Sequence, residues 1–268
     1  MSDLRKDNRR GRHSFVICAY RESPFLEACI RSVRCQTVQS GILLSTSTPN
    51  DYIEKLCEKY DIPVKVNCGE KGITGDWNHA LSVADSEFVT LAHQDDVYCK
   101  TYTERMLNGA HIENASIIFS DYFEIRDGKR CNSNMNLRIK RVMNCGFRWF
   151  GNSRVIRRRV LSLGNPICCP SVTYNMNCCG DFRFDKRFRV SCDWEAWSRL
   201  AERDNRFVYI PESLMGHRIH AGSETTTTIA DNTRYREDLA MYCRYWPENV
   251  ARLLLRGYAK SQDGNRLS

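Results

Sequence analysis

Ser86-Glu87-Phe88-Val89-Thr90-Leu91-Ala92-His93-Gln94-Asp95-Asp96-Val97-Tyr98 is the stretch on which the reading of this chain turns. Ser86 to Thr90 is apolar and β-branched and predicts a buried strand, so the adjacent carboxylates Asp95 and Asp96 fall where that strand runs out into a loop. Two ionised carboxylates side by side repel each other unless a cation, hydrogen bonds or solvation relieves them. A hydrated turn that uses Asp for its turn chemistry is the alternative for this stretch taken alone.

Upstream, the same strand-helix unit repeats. Ser14 to Ala19 predicts a first strand ending at Tyr20-Arg21-Glu22. Ser23-Pro24 then offers an N-cap and a proline at the first helical position, with Leu26, Cys29, Ile30 and Val33 on one helix face. Gly41 to Ser45 predicts a second strand, Thr48-Pro49 a second helix start, and Ile53, Leu56, Cys57 and Tyr60 its apolar stripe. Val64-Lys65-Val66 leads through Gly69-Glu70-Lys71-Gly72-Ile73 into a helix carrying Trp77, Ala80, Leu81 and Ala84. Such alternation implies an α/β fold with a mostly parallel central sheet flanked by helices, whose ligands gather outside the carboxyl ends of the strands. Tyr20, Ser45, Lys71 and Asp95 all lie near those ends.

Downstream the order changes. Glu104 to Leu107 predicts a helix, Ser116 to Asp121 a strand, and Tyr122 to Arg130 a hairpin-like continuation around Asp127-Gly128. Residues 131–151 carry no legible element. Arg157 to Leu163 predicts a short helix, and Asp193 to Leu200 a helix with acids in its first turn, where simple capping is the competing role. Arg206 to Ile210 predicts a strand and His217 to Ser223 a loop. Ile229 to Ala259 is expected to be mostly helical, with Tyr235, Tyr242, Tyr245 and Trp246 as packing residues.

Length and composition bound the rest. With 268 residues, 42% hydrophobic and 27% charged, the chain is an ordinary globular protein rather than a disordered one. No long apolar run and no apolar leader are present, which predicts a cytoplasmic protein. Fourteen scattered cysteines read as reduced thiols. Cys168-Cys169 and Cys178-Cys179 lack the gap of a zinc knuckle. The net charge of +8 suits an anionic partner. The run Arg154 to Arg159 reads as a solvated helix face, or as a peripheral contact with phospholipid at the inner membrane face. Nothing resembles a nucleic-acid recognition motif.

Taken in order, these motifs resemble glycosyltransferase family 2, the inverting GT-A transferases that use nucleotide-diphosphate sugars. The resemblance covers roughly residues 14–225: Ala19-Tyr20-Arg21-Glu22, Lys71 to Asn78, Asp95-Asp96, Asp193-Trp194-Glu195, and Arg218 to Ser223. It implies a GT-A, Rossmann-like sheet in residues 14–225, after a flexible leader over 1–13. Residues 14–98 would be the nucleotide-sugar half, 99–225 the acceptor half, and 226–268 a C-terminal helical extension.

It also implies roles. Asp95 takes the place of the metal-binding Asp, and His220 that of the family's later histidine near the diphosphate and metal. The cofactor would be a divalent metal, Mn²⁺ or Mg²⁺, and the imidazole favours manganese. His93 stands where the ribose-binding Asp is usual, and Asp96 becomes a supporting acid. Asp193 takes the place of the catalytic base, with Glu195 as rival. Ala19, Tyr20 and Glu22, with Lys71 and Asp76 nearby, would hold the nucleobase. Many relatives have an acidic pair after the second strand, and Ser45-Thr46-Ser47-Thr48 has hydroxyls instead. The donor implied is a UDP-type sugar, the acceptor a glycan, lipid-linked or protein hydroxyl. The rivals are a nucleotidyltransferase, which Tyr20-Arg21-Glu22-Ser23-Pro24 does not suit because it is no Gly-rich phosphate loop, and an inactive nucleotide-sugar-binding relative.

Overall fold

The computed structural model describes residues 11–220 and 233–263, with side chains described to residue 257. The expected leader up to Arg10, Ala221 to Ser223 of the late loop and the start of the C-terminal segment lie outside the described residues. In chain order the elements are β1 (His13–Ala19), α1 (Leu26–Arg34), β2 (Gly41–Thr46), α2 (Asp51–Tyr60), β3 (Val64–Val66), α3 (Ile73–Ser82), β4 (Phe88–His93), β5 (Val97–Tyr98), α4 (Tyr102–Ala110), β6 (Ala115–Arg126) and β7 (Lys129–Cys131). There follow α5 (Met135–Phe150), α6 (Arg154–Leu161), β8 (Val172–Asn175), α7 (Met176–Cys179), α8 (Cys192–Ala201), β9 (Arg206–Ile219), α9 (Thr233–Cys243) and α10 (Glu248–Asp263).

The strands form one nine-stranded sheet in the order β3-β2-β1-β4-β8-β6-β9-β5, with β7 paired to β6. The β3-β2-β1-β4 half is parallel, as the repeated strand-helix units require. β8 then enters antiparallel between β4 and β6, and β6 and β9 run parallel beyond it. The outcome is a mixed sheet whose parallel half brings the carboxyl ends of β1, β2 and β4 to one edge. Alternation along the strands feeds two cores. Phe15 and Ile17 of β1 pack on the side of α1, while Val16 of β1 with Val89 and Leu91 of β4 pack on the side of α8 and the C-terminal helices.

Several local expectations change. Ser23 does not cap α1, whose N-cap is Phe25 with no side-chain bond; its hydroxyl donates instead to Asp95 Oδ1 at 2.6 Å. α2 is capped by Asn50, whose side chain accepts from Ile53 N, rather than starting at Thr48-Pro49. Residues 131–151, where no element was legible, hold the sixteen-residue helix α5, capped by Asn134. His217 to Ile219 are not loop but the end of a fourteen-residue β9, which takes a bulge opposite Ser120 and Asp121 before running on beside β6.

The basic run on α6 is not a free cationic face. Arg157 is buried, and its guanidinium donates to the carbonyls of Gly151, Ala201, Arg203 and Asn205, tying α6 to the turn after α8. Arg158 pairs with Glu202 and lies over the Tyr245 ring, and Arg159 lies over Trp246. The C-terminal helices join the same core: Tyr242 packs edge-on against Trp194 of α8 at 4.9 Å, and Trp246 Nε1 donates to Ser162 O at 2.8 Å.

Candidate functional site

The carboxyl ends of β1, β2 and β4, the end of β9 and the starts of α3, α8 and α9 surround one open cavity of about 1190 Å³. That exceeds the roughly 300–1,000 Å³ of ordinary small-molecule pockets and leaves room for two reactants. Ala19, Tyr20, Lys71, Asp76, His93, Asp95, Asp193 and His220 all line it. Among the described residues that line it Glu22 is absent: Arg21 takes a left-handed backbone (φ 55) and turns the chain just before it.

The β1 and β4 exits are clamped together. The Gln94 side-chain amide accepts from Tyr20 N at 3.1 Å and donates to Tyr20 O at 3.0 Å. On the neighbouring exit, Asp76 accepts from Ser47 Oγ at 3.0 Å and Asn67 Nδ2 at 2.8 Å, which fixes its carboxylate against the end of β2. α3 follows Gly72, whose φ of 96 needs glycine, and has no side-chain cap; Lys71, Gly72, Ile73 and Thr74 at its start line the cavity.

The adjacent acids divide their partners. Asp96 is buried, 3.2 Å from His217 Nδ1, and accepts from Arg218 N at 2.8 Å. Burial alone would raise its pKa, but His217, His93 and the amide together outweigh it and hold the carboxyl below its ordinary range. On His217 burial works downward, and the Asp96 charge and hydrogen bond carry the net shift up. Asp96 therefore locks the end of β9 to the β4 exit as an ion pair. Asp95 points the other way: Oδ2 lies 3.2 Å from His220 Nε2, while Oδ1 accepts from Ser23. Arg218 Nε donates to the Asp95 carbonyl at 2.9 Å and stacks over Phe25. His93 lies stacked on Trp77 at 5.0 Å. Its Nε2 is shielded from solvent and has no hydrogen-bond partner, and burial lowers its pKa.

Asp95 and His220 form a pair rather than an enclosed metal site. Among the described residues no group of three or more His, Cys, Asp or Glu side chains could hold an ion. The carboxylate-imidazole pair suits a first-row divalent cation whose remaining positions are filled by ligand oxygens, not one enclosed by protein alone.

Asp193, in the first turn of α8, lines the same cavity. Its carboxylate accepts from Asn165 Nδ2 at 2.9 Å and Trp194 N at 2.7 Å. Burial pushes its pKa up to about 6, against those bonds and the charges of Arg234 and Lys140. An acid with a pKa near working pH is suited to taking up a proton. Glu195, two residues on, is separated from this role: it is buried, held by Arg199 at 2.9 Å and Arg244 at 3.1 Å, and does not line the cavity.

Sequence reasoning missed the supports of Asp193. Glu237 of α9 accepts the amides of Val190 and Ser191, and Asp238 accepts Ser191 Oγ at 2.7 Å, so the C-terminal helix fixes the start of α8. Arg234 also lines the cavity, with Nε and Nη1 shielded from solvent and without a hydrogen-bond partner. These contacts join residues some forty apart and leave no local signal in the sequence.

Comparison with known proteins agrees with the architecture. The structure resembles S. aureus TarS residues 1–349 in complex with UDP-GlcNAc (TM-score 0.64, 14% identity, covering 94% of this chain and 72% of that one). It likewise resembles the mannosyltransferase PcManGT from Pyrobaculum calidifontis in complex with GDP-Man and Mn²⁺ (TM-score 0.63, 12% identity, 96% and 72%). Against a longer S. aureus TarS chain the TM-score is 0.61 at 13% identity, and this chain, 94% covered, spans 43% of that one. Among curated protein sequences none matches the chain. The model of glycosyl transferase family 2 matches residues 14–176, more than half of the sequence, and on that match the chain belongs to glycosyl transferase family 2.

Proposed function

We propose that the protein is an inverting glycosyltransferase that moves a sugar from a nucleotide-diphosphate donor, UDP-linked in the first instance, to an acceptor hydroxyl. The observation that carries this reading is the convergence of Asp95 with His220 on one wall of a single cavity and Asp193 on another. The structural neighbours have been captured with UDP-GlcNAc and with GDP-Man and Mn²⁺, which supports a donor of this class. Residues 14–98 form the donor half in this reading, 99–225 the acceptor half and 226–268 a helical extension.

The nucleoside sits between the β1 exit and α3, against Ala19 and Tyr20, with Asp76, already oriented by Ser47 and Asn67, facing the base. Ser47 and Thr48 stand where an acidic pair is expected to meet uracil. Uncapped amides of α3 and Lys71 supply positive potential along the donor. His93, with Nε2 shielded beneath Trp77, shapes the ribose wall rather than replacing an acid there.

Asp95 and His220 would hold Mn²⁺ or Mg²⁺, and when bound such an ion neutralises charge on the departing diphosphate. Asp193 removes the proton of the acceptor hydroxyl as its oxygen attacks the anomeric carbon from the face opposite the leaving group, which inverts that centre. Asn165 and Trp194 N orient the carboxylate, and Arg234 and Lys140 supply counter-charge beside it. All fourteen cysteines are unpaired, in keeping with a reducing, cytoplasmic setting.

A thermal-shift screen of UDP, GDP, TDP and ADP, each with and without Mn²⁺, tests the reading. Stabilisation by one nucleoside diphosphate, UDP above all, that depends on metal is the expected result. Indifference to every nucleotide would overturn it.

A further inference from the structure

Between Asp127 and Asp181 the chain has no acidic residue and ten lysines and arginines. α5 lies in this segment. Its buried face is Leu137, Asn144 and Phe147. Its opposite face repeats apolar residues at helical spacing, Met135, Ile139, Val142 and Trp149, and these are exposed rather than packed: 73% for Met135, 74% for Val142 and 69% for Trp149. Phe150 and Val155 continue the patch across the junction with α6. Six of the twelve large apolar side chains exposed among the described residues thus fall on one surface, which is a patch and not scatter. Arg138, Arg148 and Arg154 are exposed around it, and Arg148 lies over the Trp149 ring at 5.1 Å.

A second copy of this chain is a poor occupant, because a two-fold contact would set Arg138, Arg148 and Arg154 against their own images. A peptide groove is equally absent, since the stripe is the convex face of a helix. An apolar stripe with an aromatic residue, rimmed by arginines, matches an interface that is hydrocarbon within and anionic at its rim. We propose that α5 and its junction with α6 dock the protein on an anionic phospholipid bilayer. The apolar stripe enters the acyl boundary and the arginines meet phosphate headgroups. The surface takes in Arg154 and Val155 at the start of α6 but not Arg157, which is committed to backbone carbonyls. Lys140, on the flank of the same helix, lines the cavity, so docking brings one cavity wall close to the headgroups. On the transferase reading, that position suits a lipid-borne acceptor; the docking itself does not depend on that reading.

Vesicle sedimentation tests it. The protein should sediment with vesicles of phosphatidylcholine mixed with phosphatidylglycerol, much less with phosphatidylcholine alone, and less as salt rises. V142E/W149E and, separately, R138E/R148E should each weaken vesicle binding by about tenfold or more. Neither pair packs in the core, so an unchanged Tm is expected and verifies the fold. Failure to bind mixed vesicles, equal binding by the variants, or a dimer that V142E/W149E abolishes would each overturn the proposal. Nucleotide-induced stabilisation read on the same proteins reports separately on the transferase reading.

Discussion

The β4 exit and the α8 start bring acids of the same kind to the lining of one cavity and treat them oppositely. At the β4 exit, Asp96 is as buried as any core residue, yet His217, His93 and the Arg218 amide hold its pKa below the usual range. At the α8 start, Asp193 has a neutral amide and its neighbour's N–H as partners, and burial lifts its pKa to about 6. Desolvation acts upward on both. What differs is whether compensating charge sits in contact. The first arrangement preserves negative charge and joins two strands; in the proposed reading it leaves Asp95 to face a cation. The second holds a carboxyl whose pKa suits the base of the proposed reaction.

The contrast can be broken at its functional end first. Asp193→Asn should lower sugar transfer by about a thousandfold, within the range general bases supply. The parent's transfer rate should rise with pH as Asp193 ionises, through about 6. A variant that retains full turnover would remove Asp193 from the chemistry.

Glu195 shares a helix turn with Asp193 but is paired with Arg199 and Arg244 and does not line the cavity. Glu195→Gln leaves Arg199 and Arg244 without their shared charge, and should cost about 3 kcal/mol of stability in a denaturant titration. Turnover per folded molecule should stay within about threefold of the parent, since no proton passes through it. A collapse of turnover in the folded variant would restore Glu195 as the base.

The smallest effect concerns stability and pH. Asp193 has a folded pKa of about 6 against an ordinary 3.8, so the native state binds its proton more tightly than the unfolded chain does. Its contribution to stability is therefore lost as pH rises from 3.8 to about 6. Asp193→Asn removes this cost and should be more stable than the parent by about 1–3 kcal/mol at neutral pH. The advantage should vanish in acid, below 3.8. Equal Tm values across that range would mean the carboxylate is better solvated than its burial indicates.

The two walls also differed in how far the sequence disclosed them. The parallel half was legible because each of its strands is a short apolar run followed by an amphipathic helix, and Asp95 stands at a strand exit by simple counting. α5 was not, for a physical reason: its inner face includes polar Asn144, and its outer face is apolar through Met135, Ile139, Val142 and Trp149, so no single stripe stands out. The apolar run of β9 ends at Ile210, and Pro211-Glu212 breaks its pattern; in the structure the register shifts across these residues and pairing resumes at Ser213. Asp193 could be proposed from motif order. Its surroundings, Asn165, Arg234 and the Glu237-Asp238 support of Ser191, are contacts between distant segments and became visible only once the chain was folded.

The division of labour between the walls is tested most directly by calorimetric titration of UDP with Mn²⁺ into Asp193→Asn and Asp95→Asn side by side. Asp193→Asn should bind like the parent, while Asp95→Asn should lose about tenfold or more in affinity and its dependence on metal. Undiminished, metal-dependent binding to Asp95→Asn, or equal losses in both variants, would contradict it.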